Sequence, residues 1–422
     1  MNLPFPNSQK NITIQKVLAR QPILDRHQKT FAYELLFRTE KTEKAFPSQI
    51  SGEAATLNVI NSLLSFGLEN IVGNKKAFIN FTTELLVEEY FNFLPQEIVV
   101  IEILENVDLN SRTIEACKKA KKQGFQLALD DFFFREGIKP LIQLSDIIKI
   151  DFQETSKDQI RRLTRYFKAM KKSTLAEKVE TTAEFNEALS LNFDYFQGFF
   201  FSRPQIVSQR DIPAYKASLL RIIRETQQET NLEKMSSLIA QDLALSWKLL
   251  KFINSAFFSL RAPVSSISRA AAMLGERELK CWIMLIAISE IATDRPSELV
   301  VQATLRAKFA ELIGQKLGGE SLGLKAFTAG IFSLMDVILQ RPMKEILEKV
   351  PLEDPIKRAI VDKSGKIGKI IQLIISCENM DIEKIDILKS DLGISSNDLE
   401  QIYLQALKWT NKFFSFYMTA LK

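Results

Sequence analysis

Histidine is nearly absent. The chain of 422 residues carries one, His27, which excludes imidazole-rich zinc sites, Ser-His-Asp triads and His-Asp metal clusters. His27 lies in "DRHQKT", a polar turn between two strand-like runs, and reads as an exposed turn residue. Cysteine is scarce too: Cys117, Cys281 and Cys377 are odd in number and far apart, so neither a disulfide framework nor a zinc spacing arises. Net charge is only +5 and no dense Lys/Arg block appears. The run "KKAKKQG" (Lys118 to Gly124) reads as a solvated helix face ending at its glycine. A nucleic-acid partner is therefore not expected. The N-terminal "MNLPFPNSQK" lacks the apolar core of a signal peptide. The greasiest window, "CWIMLIAISEIA", is too short to span a bilayer and runs into Glu290. These absences predict a soluble, cytoplasmic protein with no membrane span.

What is present follows two grammars. Length predicts two domains, and 46% hydrophobic with 25% charged residues is ordinary globular composition. The first half alternates strand-like runs with helical patterns. The runs are "KVLARQPIL", "FAYELLFR", "KAFINF", "EIVVIEIL", "QLALDD", "DIIKIDF", "TLAEKV" and "YFQGFFF". Strand then helix, repeated, predicts βαβ units, a parallel sheet and a TIM-like α/β barrel over residues 1–205. Beyond "SRPQIVSQRDIP" (Ser202 to Pro213) only helical periodicity remains, in stretches such as "LSWKLLKFINSAF" and "AAAMLGERELKCWIMLIAISEIA". Residues 206–422 are therefore expected to form an all-α domain.

Polar residues sit in or at the end of most strands of the first half. In order they are Glu34, Asn80, Glu102 with Glu105, Asp130 with Asp131, Lys149 with Asp151, Glu177 with Glu180, and Gln197. In a β/α barrel the C-terminal strand ends meet at one mouth. Carboxylates gathered there would repel one another, and a divalent cation relieves that cost. Oxygen donors with an Asn carbonyl suit Mg²⁺ or Mn²⁺ rather than zinc. Two such ions would form a phosphodiester-cleaving device, with Lys149 positioning water or neutralising charge and Glu177 ordering the network around it.

These motifs resemble the EAL family of cyclic di-GMP phosphodiesterases over about Val17 to Pro204. "FAYELLFR" stands at the Glu-Ala-Leu signature, "FINFT" at the Asn motif, "IEILENV" at the Glu-Leu-Thr-Glu segment and "LALDDF" at the Asp-Asp-Phe-Gly motif. The resemblance implies Glu34, Asn80, Glu102, Asp130 and Asp131 as metal ligands, and Arg38 as a substrate-phosphate contact. It further implies Glu105 and Glu180 as loop-anchoring residues, and Lys149, Glu177 and Gln197 as catalytic. The second half resembles the HDOD domain, through "LSWKLLKFINSAFF" and "AAAMLG". Where a catalytic relative carries His-Asp, this chain reads Met335-Asp336, so no metal and no hydrolysis are expected there.

Three departures stand out. Leu35 replaces Ala in the signature and is expected to crowd Glu34. The loop "FFFREGIKPL" replaces a Gly/Thr/Ser-rich loop, and Lys178 stands where the family has Gly. Short spacings from Glu34 to Asn80 and from Asn80 to Glu102 predict a trimmed barrel rim. The family implies hydrolysis of cyclic di-GMP to linear pGpG with a divalent metal pair, coupled to a non-catalytic HDOD module. The departures keep two alternatives open: a silent domain that binds cyclic di-GMP, and a pure interaction scaffold. A protein partner is expected at the HDOD domain or the Phe132–Phe134 loop, and a homodimer is compatible with either.

Overall fold

The computed structural model describes residues 16–39, 67–201 and 231–420, apart from 256, 257, 259, 261, 294 and 351. The expected domain junction at Ser202 to Pro213 lies outside the described residues, as does most of the stretch between Glu34 and Asn80 read as a trimmed rim.

Eight strands close into a barrel: β1 (Lys16–Asp25), β2 (Thr30–Thr39), β3 (Lys76–Phe81), β4 (Val99–Ile103), β5 (Gln126–Leu129), β6 (Ile147–Asp151), β7 (Ser173–Glu177) and β8 (Tyr195–Gln197). β2 to β8 run parallel, but β1 is antiparallel to both its neighbours, β2 and β8. The parallel sheet expected from the sequence therefore holds for β2 to β8 and fails at β1. Only residues 26–29 link β1 to β2, and a parallel crossover needs a dozen residues or more.

Helices α1 (Leu68–Val72), α2 (Thr83–Val87), α3 (Ser111–Gln123), α4 (Lys139–Leu144), α5 (Lys157–Ala169) and α6 (Thr182–Ser190) lie between the later strands. Their ends follow local chemistry. The Asn110 side chain accepts the Thr113 N–H at the start of α3, and Gly124 closes it at φ 101°.

The second half is helical throughout its described residues: α7 (Leu232–Gln241), α8 (Leu243–Ile253), α9 (Ile267–Leu274), α10 (Glu276–Ile291), α11 (Ser297–Phe332), α12 (Met335–Leu339), α13 (Met343–Lys349), α14 (Asp354–Val361), α15 (Gly365–Glu378), α16 (Ile382–Leu392) and α17 (Ser396–Ala420). The stretch read as one helix across "AAAMLGERELKC" is two, because Gly275 at φ 81° separates α9 from α10. α11 breaks at Gly318–Gly319. Residues 297–339 are long and apolar enough to cross a membrane, yet 72% of their most apolar window is buried inside the protein, as in a core helix.

The outer face of β1 and β2 joins the halves. The Arg20 guanidinium lies 4.1 Å from the Tyr33 ring centre and donates to Asn411 Oδ1 at 3.1 Å. Tyr33 Oη donates to Glu298 Oε2 at 3.0 Å, and Thr30 Oγ1 donates to the same oxygen at 2.6 Å.

Inside the barrel, strand periodicity sorts residues into layers. One apolar layer holds Ile23, Ala32, Phe78, Val100, Ala128, Ile147 and Leu175, with Tyr195 packed against it. Two residues further along each parallel strand, and two residues back along antiparallel β1, comes the next layer. It reads Gln21, Glu34, Asn80, Glu102, Asp130, Lys149, Glu177 and Gln197. The apolar layer is the floor on which the polar one stands.

Candidate metal centre

Lys149 is the hub of the polar layer. Its Nζ is 2.7 Å from Glu177 Oε1, 2.8 Å from Asp130 Oδ1 and 3.4 Å from Glu34 Oε2, and it also pairs with Glu102 Oε1. Lys149 is 1% exposed and Glu102 fully buried. Strand register makes the grouping: Asn80 faces Glu102 across β3 and β4, and Asp151 faces Glu177 across β6 and β7. Gln197 Nε2 donates to Glu34 Oε2 at 2.6 Å and to Gln21 Oε1 at 3.0 Å.

Charge in this layer is unbalanced. One ammonium meets four carboxylates, leaving three negative charges uncompensated if all ionise. Burial and the Glu34 charge push the Glu102 carboxyl well above the usual carboxylate range, with Lys149 opposing. Burial, helped by Asp130 and Glu34, pushes Glu177 up to about 8. Burial raises Asp130 too, but the neighbouring ammonium prevails and holds it below its ordinary value. Burial pulls the Lys149 ammonium down, and its carboxylates more than offset that, holding it well above the ordinary lysine value.

Several donor atoms lack partners. Buried Asn80 Oδ1, Glu102 Oε2, Asp131 Oδ1 and Glu177 Oε2 accept no hydrogen bond, which is costly unless something fills the role. Ligand atoms of Glu34, Glu102 and Glu177 lie within 4.8 Å of one another, and so do those of Glu105, Asp130 and Asp131. All are hard oxygen donors, so the residues present fit a divalent cation such as Mg²⁺ or Mn²⁺.

The predicted residues divide accordingly. Glu34, Glu102, Asp130, Lys149, Glu177 and Gln197 meet directly, and Asn80 is paired in register with Glu102. Asp131 turns aside at φ 35° and joins the rim group. Glu105 is exposed beside Asp130 and Asp131, where it offers a ligand oxygen besides the anchoring role expected of it. The Glu180 N–H donates to Glu184 Oε2 at 2.7 Å, beside the capping box that Thr181 and Glu184 form at the start of α6. Arg38 lies in β2, its side chain outside what is described. Leu35 is buried on the outer face of β2, so it does not crowd Glu34, which points inward. Gln21 escaped the sequence reading. The signal was available: on an antiparallel first strand the polar layer falls two residues before the apolar one rather than after it.

The phenylalanines do not form one cluster with one role. Phe132 is buried, its ring 4.8 Å from that of Phe167 on α5. Phe134 rests edge-on against Tyr166 at 5.6 Å. Phe133 and Phe134 remain 52% and 59% exposed.

Comparison with known proteins agrees with this architecture. The EAL domain family matches residues 13–204 and the HDOD domain family residues 212–380. The uncharacterized protein YuxH of Bacillus subtilis is 33% identical over 404 residues, covering 93% of this chain and 97% of YuxH. The chain belongs to the two-domain EAL–HDOD family. A second relative, the cyclic di-GMP phosphodiesterase CdgJ of Vibrio cholerae, is 32% identical over 397 residues, covering 93% of this chain and 92% of CdgJ. Among solved structures, an EAL domain protein of Listeria monocytogenes is 24% identical with a TM-score of 0.35, covering 45% of this chain and 88% of that one. BlrP1 of Klebsiella pneumoniae, solved with calcium and cyclic di-GMP, is 23% identical with a TM-score of 0.38, covering 47% and 58%.

In the HDOD half, Met335 is fully buried and Asp336 Oδ1 accepts the Val337 N–H at 2.9 Å. Both groups of side chains that could hold a metal, among the described residues, lie in the EAL barrel.

Proposed function

We propose that the barrel hydrolyses cyclic di-GMP to linear pGpG with the help of Mg²⁺ or Mn²⁺ held at its mouth. The observation that carries this reading is the inward polar layer of Glu34, Asn80, Glu102, Asp130 and Glu177 around Lys149, with buried oxygens left unpartnered. The name of its relative CdgJ supports the choice of substrate. Glu34, Asn80, Glu102 and Asp130 would hold an ion, with Asp131 on the rim side. Such an ion supplies Lewis acidity at a phosphoryl oxygen and a water acidified at neutral pH.

The chain's own residues do the rest. Lys149 offsets carboxylate repulsion and keeps Asp130 ionised. The Gln197 amide, braced by Gln21, fixes one oxygen of Glu34. Glu177, on the neighbouring strand β7, pairs with Lys149 at 2.7 Å. Arg38 would meet a phosphate. The HDOD half would serve as an interaction module, and the exposed Phe133–Phe134 edge is a second place for a protein partner or a second copy. The three cysteines of the whole chain are all free and buried, which suits the reducing cytoplasm.

A binding-only reading has one observation in its favour: Lys178 brings a second ammonium to the mouth, against Asp151. The deciding experiment is hydrolysis of cyclic di-GMP by the full-length chain with Mg²⁺ and with Mn²⁺, beside Glu34→Ala. Linear product from the parent alone supports the enzyme. No product, with cyclic di-GMP still bound at equilibrium, leaves the binder.

A further inference from the structure

Lys178 adopts φ 53°, a left-handed conformation that an L side chain enters at a cost. The backbone around it is pinned. Gln153 Nε2 donates to the Lys178 carbonyl at 3.2 Å, and the Val179 N–H donates to the Gln197 carbonyl at 2.9 Å. The strained turn aims the side chain back over the mouth, where Nζ pairs with Asp151 Oδ2. The other oxygen of Asp151 already accepts the N–H groups of Gln153 at 2.6 Å and Glu154 at 2.8 Å. One oxygen of Asp151 is thus held by two backbone hydrogen bonds, and the other, which accepts no hydrogen bond, is ion-paired to Lys178.

Asp131 lies just past β5, and Asp151 ends the neighbouring strand β6. At the β3 and β4 ends of the mouth, Glu102 Oε2 is buried with no partner, and so is the Asn80 carbonyl oxygen. Unpartnered oxygens lie on both sides, Asp131 Oδ1 among them, and the Lys149 ammonium is shared at the centre; the two sides differ in that only the Asp131–Asp151 side carries a second attached cation.

We propose that the Lys178 ammonium serves as a resident cation on the Asp131–Asp151 side, so that the mouth takes one exchangeable divalent ion, on the Glu34–Asn80–Glu102–Asp130 side, instead of two. The inference rests on reading the mouth as a divalent-metal site. A fixed positive charge a few ångström from a dication, partly shielded from water, repels it strongly. It also leaves one carboxylate fewer for coordination.

The test is the stoichiometry of Mn²⁺ bound to the full-length chain, by equilibrium dialysis and by electron paramagnetic resonance, with no substrate present. The parent is expected to bind one Mn²⁺ with the six-line spectrum of an isolated ion. Lys178→Gly relieves the backbone and removes the charge. Lys178→Met keeps the side-chain length and removes the charge alone. Both are expected to bind a second Mn²⁺ roughly tenfold or more tightly than the parent does, with the exchange-broadened spectrum of a coupled pair. Glu34→Ala is expected to lose the remaining ion. Two ions on the parent, with affinities that neither Lys178 variant changes, overturn the proposal and leave the metal-site reading standing. One ion on parent and variants alike overturns it too. No ion on any of these proteins overturns the metal-site reading itself, and the role of Lys178 goes with it.

Discussion

Replacing Lys149 by Met keeps the length of the side chain and removes its charge, which isolates what that charge does. Four carboxylates converge on Nζ, three of them at 2.7–3.4 Å and the fourth, Glu102, fully buried. Breaking a buried ion cluster by removing one partner costs about 3–5 kcal/mol. A second route gives a similar ceiling, because the orphaned cluster can take up a proton. Protonating one ordinary carboxylate costs about 4 kcal/mol at pH 7.5 and only about 1.5 kcal/mol at pH 5.5. The variant should therefore lose about 4 kcal/mol at pH 7.5 and less than half of that at pH 5.5.

The sign follows from proton counts. Without Lys149 the folded cluster binds protons more tightly than the unfolded chain does, so stability falls as pH rises through this window. Lys149 itself does not titrate there: its ammonium is held above the ordinary lysine value. All three tryptophans, Trp247, Trp282 and Trp409, lie in the helical half, so urea unfolding should be followed by far-ultraviolet circular dichroism rather than fluorescence. Adding Mn²⁺ supplies the missing positive charge and should stabilise the variant more than the parent. Equal losses at both pH values, with equal metal stabilisation of parent and variant, would refute the view of Lys149 as the charge hub.

Other outcomes follow from single contacts. A Cβ at Gly198 would lie 2.0 Å from the Val179 carbonyl oxygen at a backbone φ of 147°. Gly198→Ala should therefore lose about 3 kcal/mol or more by thermal denaturation, from strain and displaced hydrogen bonds, and loosen the hold of Gln197 on Glu34. Burial raises the Glu298 carboxyl above its ordinary value, so the folded parent loses stability as pH rises from the unfolded value through the folded one. Glu298→Gln keeps an acceptor for Tyr33 and Thr30 and should flatten that slope in urea midpoints taken from pH 4.5 to 8. Phe132→Ala, in the barrel core, should cost about 3–5 kcal/mol, whereas Phe134→Ser on the exposed edge should change unfolding midpoints by less than about 1 kcal/mol. Gln21→Ala frees Gln197 on one side and should weaken Mn²⁺ binding several-fold in a dialysis measurement, with little change in melting temperature.

The barrel was legible because its pattern is redundant. Each strand from β2 to β8 repeats an inward apolar or aromatic residue followed two positions later by a polar one, as in Phe78 with Asn80, Val100 with Glu102 and Leu175 with Glu177. Period-two alternation carries that information without any contact being known. Strand direction was not legible in the same way, because alternation reads alike in both directions. Only the length of the link after Asp25 sets β1 antiparallel, and that reversal hid Gln21. The helical half showed its periodicity, but not its break at Gly275. A glycine inside an apolar helical pattern is consistent with either continuation or a stop, and the backbone at φ 81° decides it.

Identity of the charged residues was easier to read than the way their charges are shared. The sequence named Lys149 beside the acids, yet nothing in its spacing says that one ammonium touches carboxylates from four other strands, β2, β4, β5 with its following turn, and β7. Barrel closure makes that contact, since it brings residues 115 positions apart, Glu34 and Lys149, within ion-pair distance. The same closure explains why Lys178 matters more than its exposed position suggests. Placed one residue past the inward Glu177, it would point outward if the strand continued. The left-handed turn at that residue instead folds its charge back onto Asp151. A glycine there would allow the same turn and carry no charge. The charge on the Asp151 side of this mouth therefore depends on one backbone angle and the Lys178 ammonium, neither of which alters the set of proposed metal ligands.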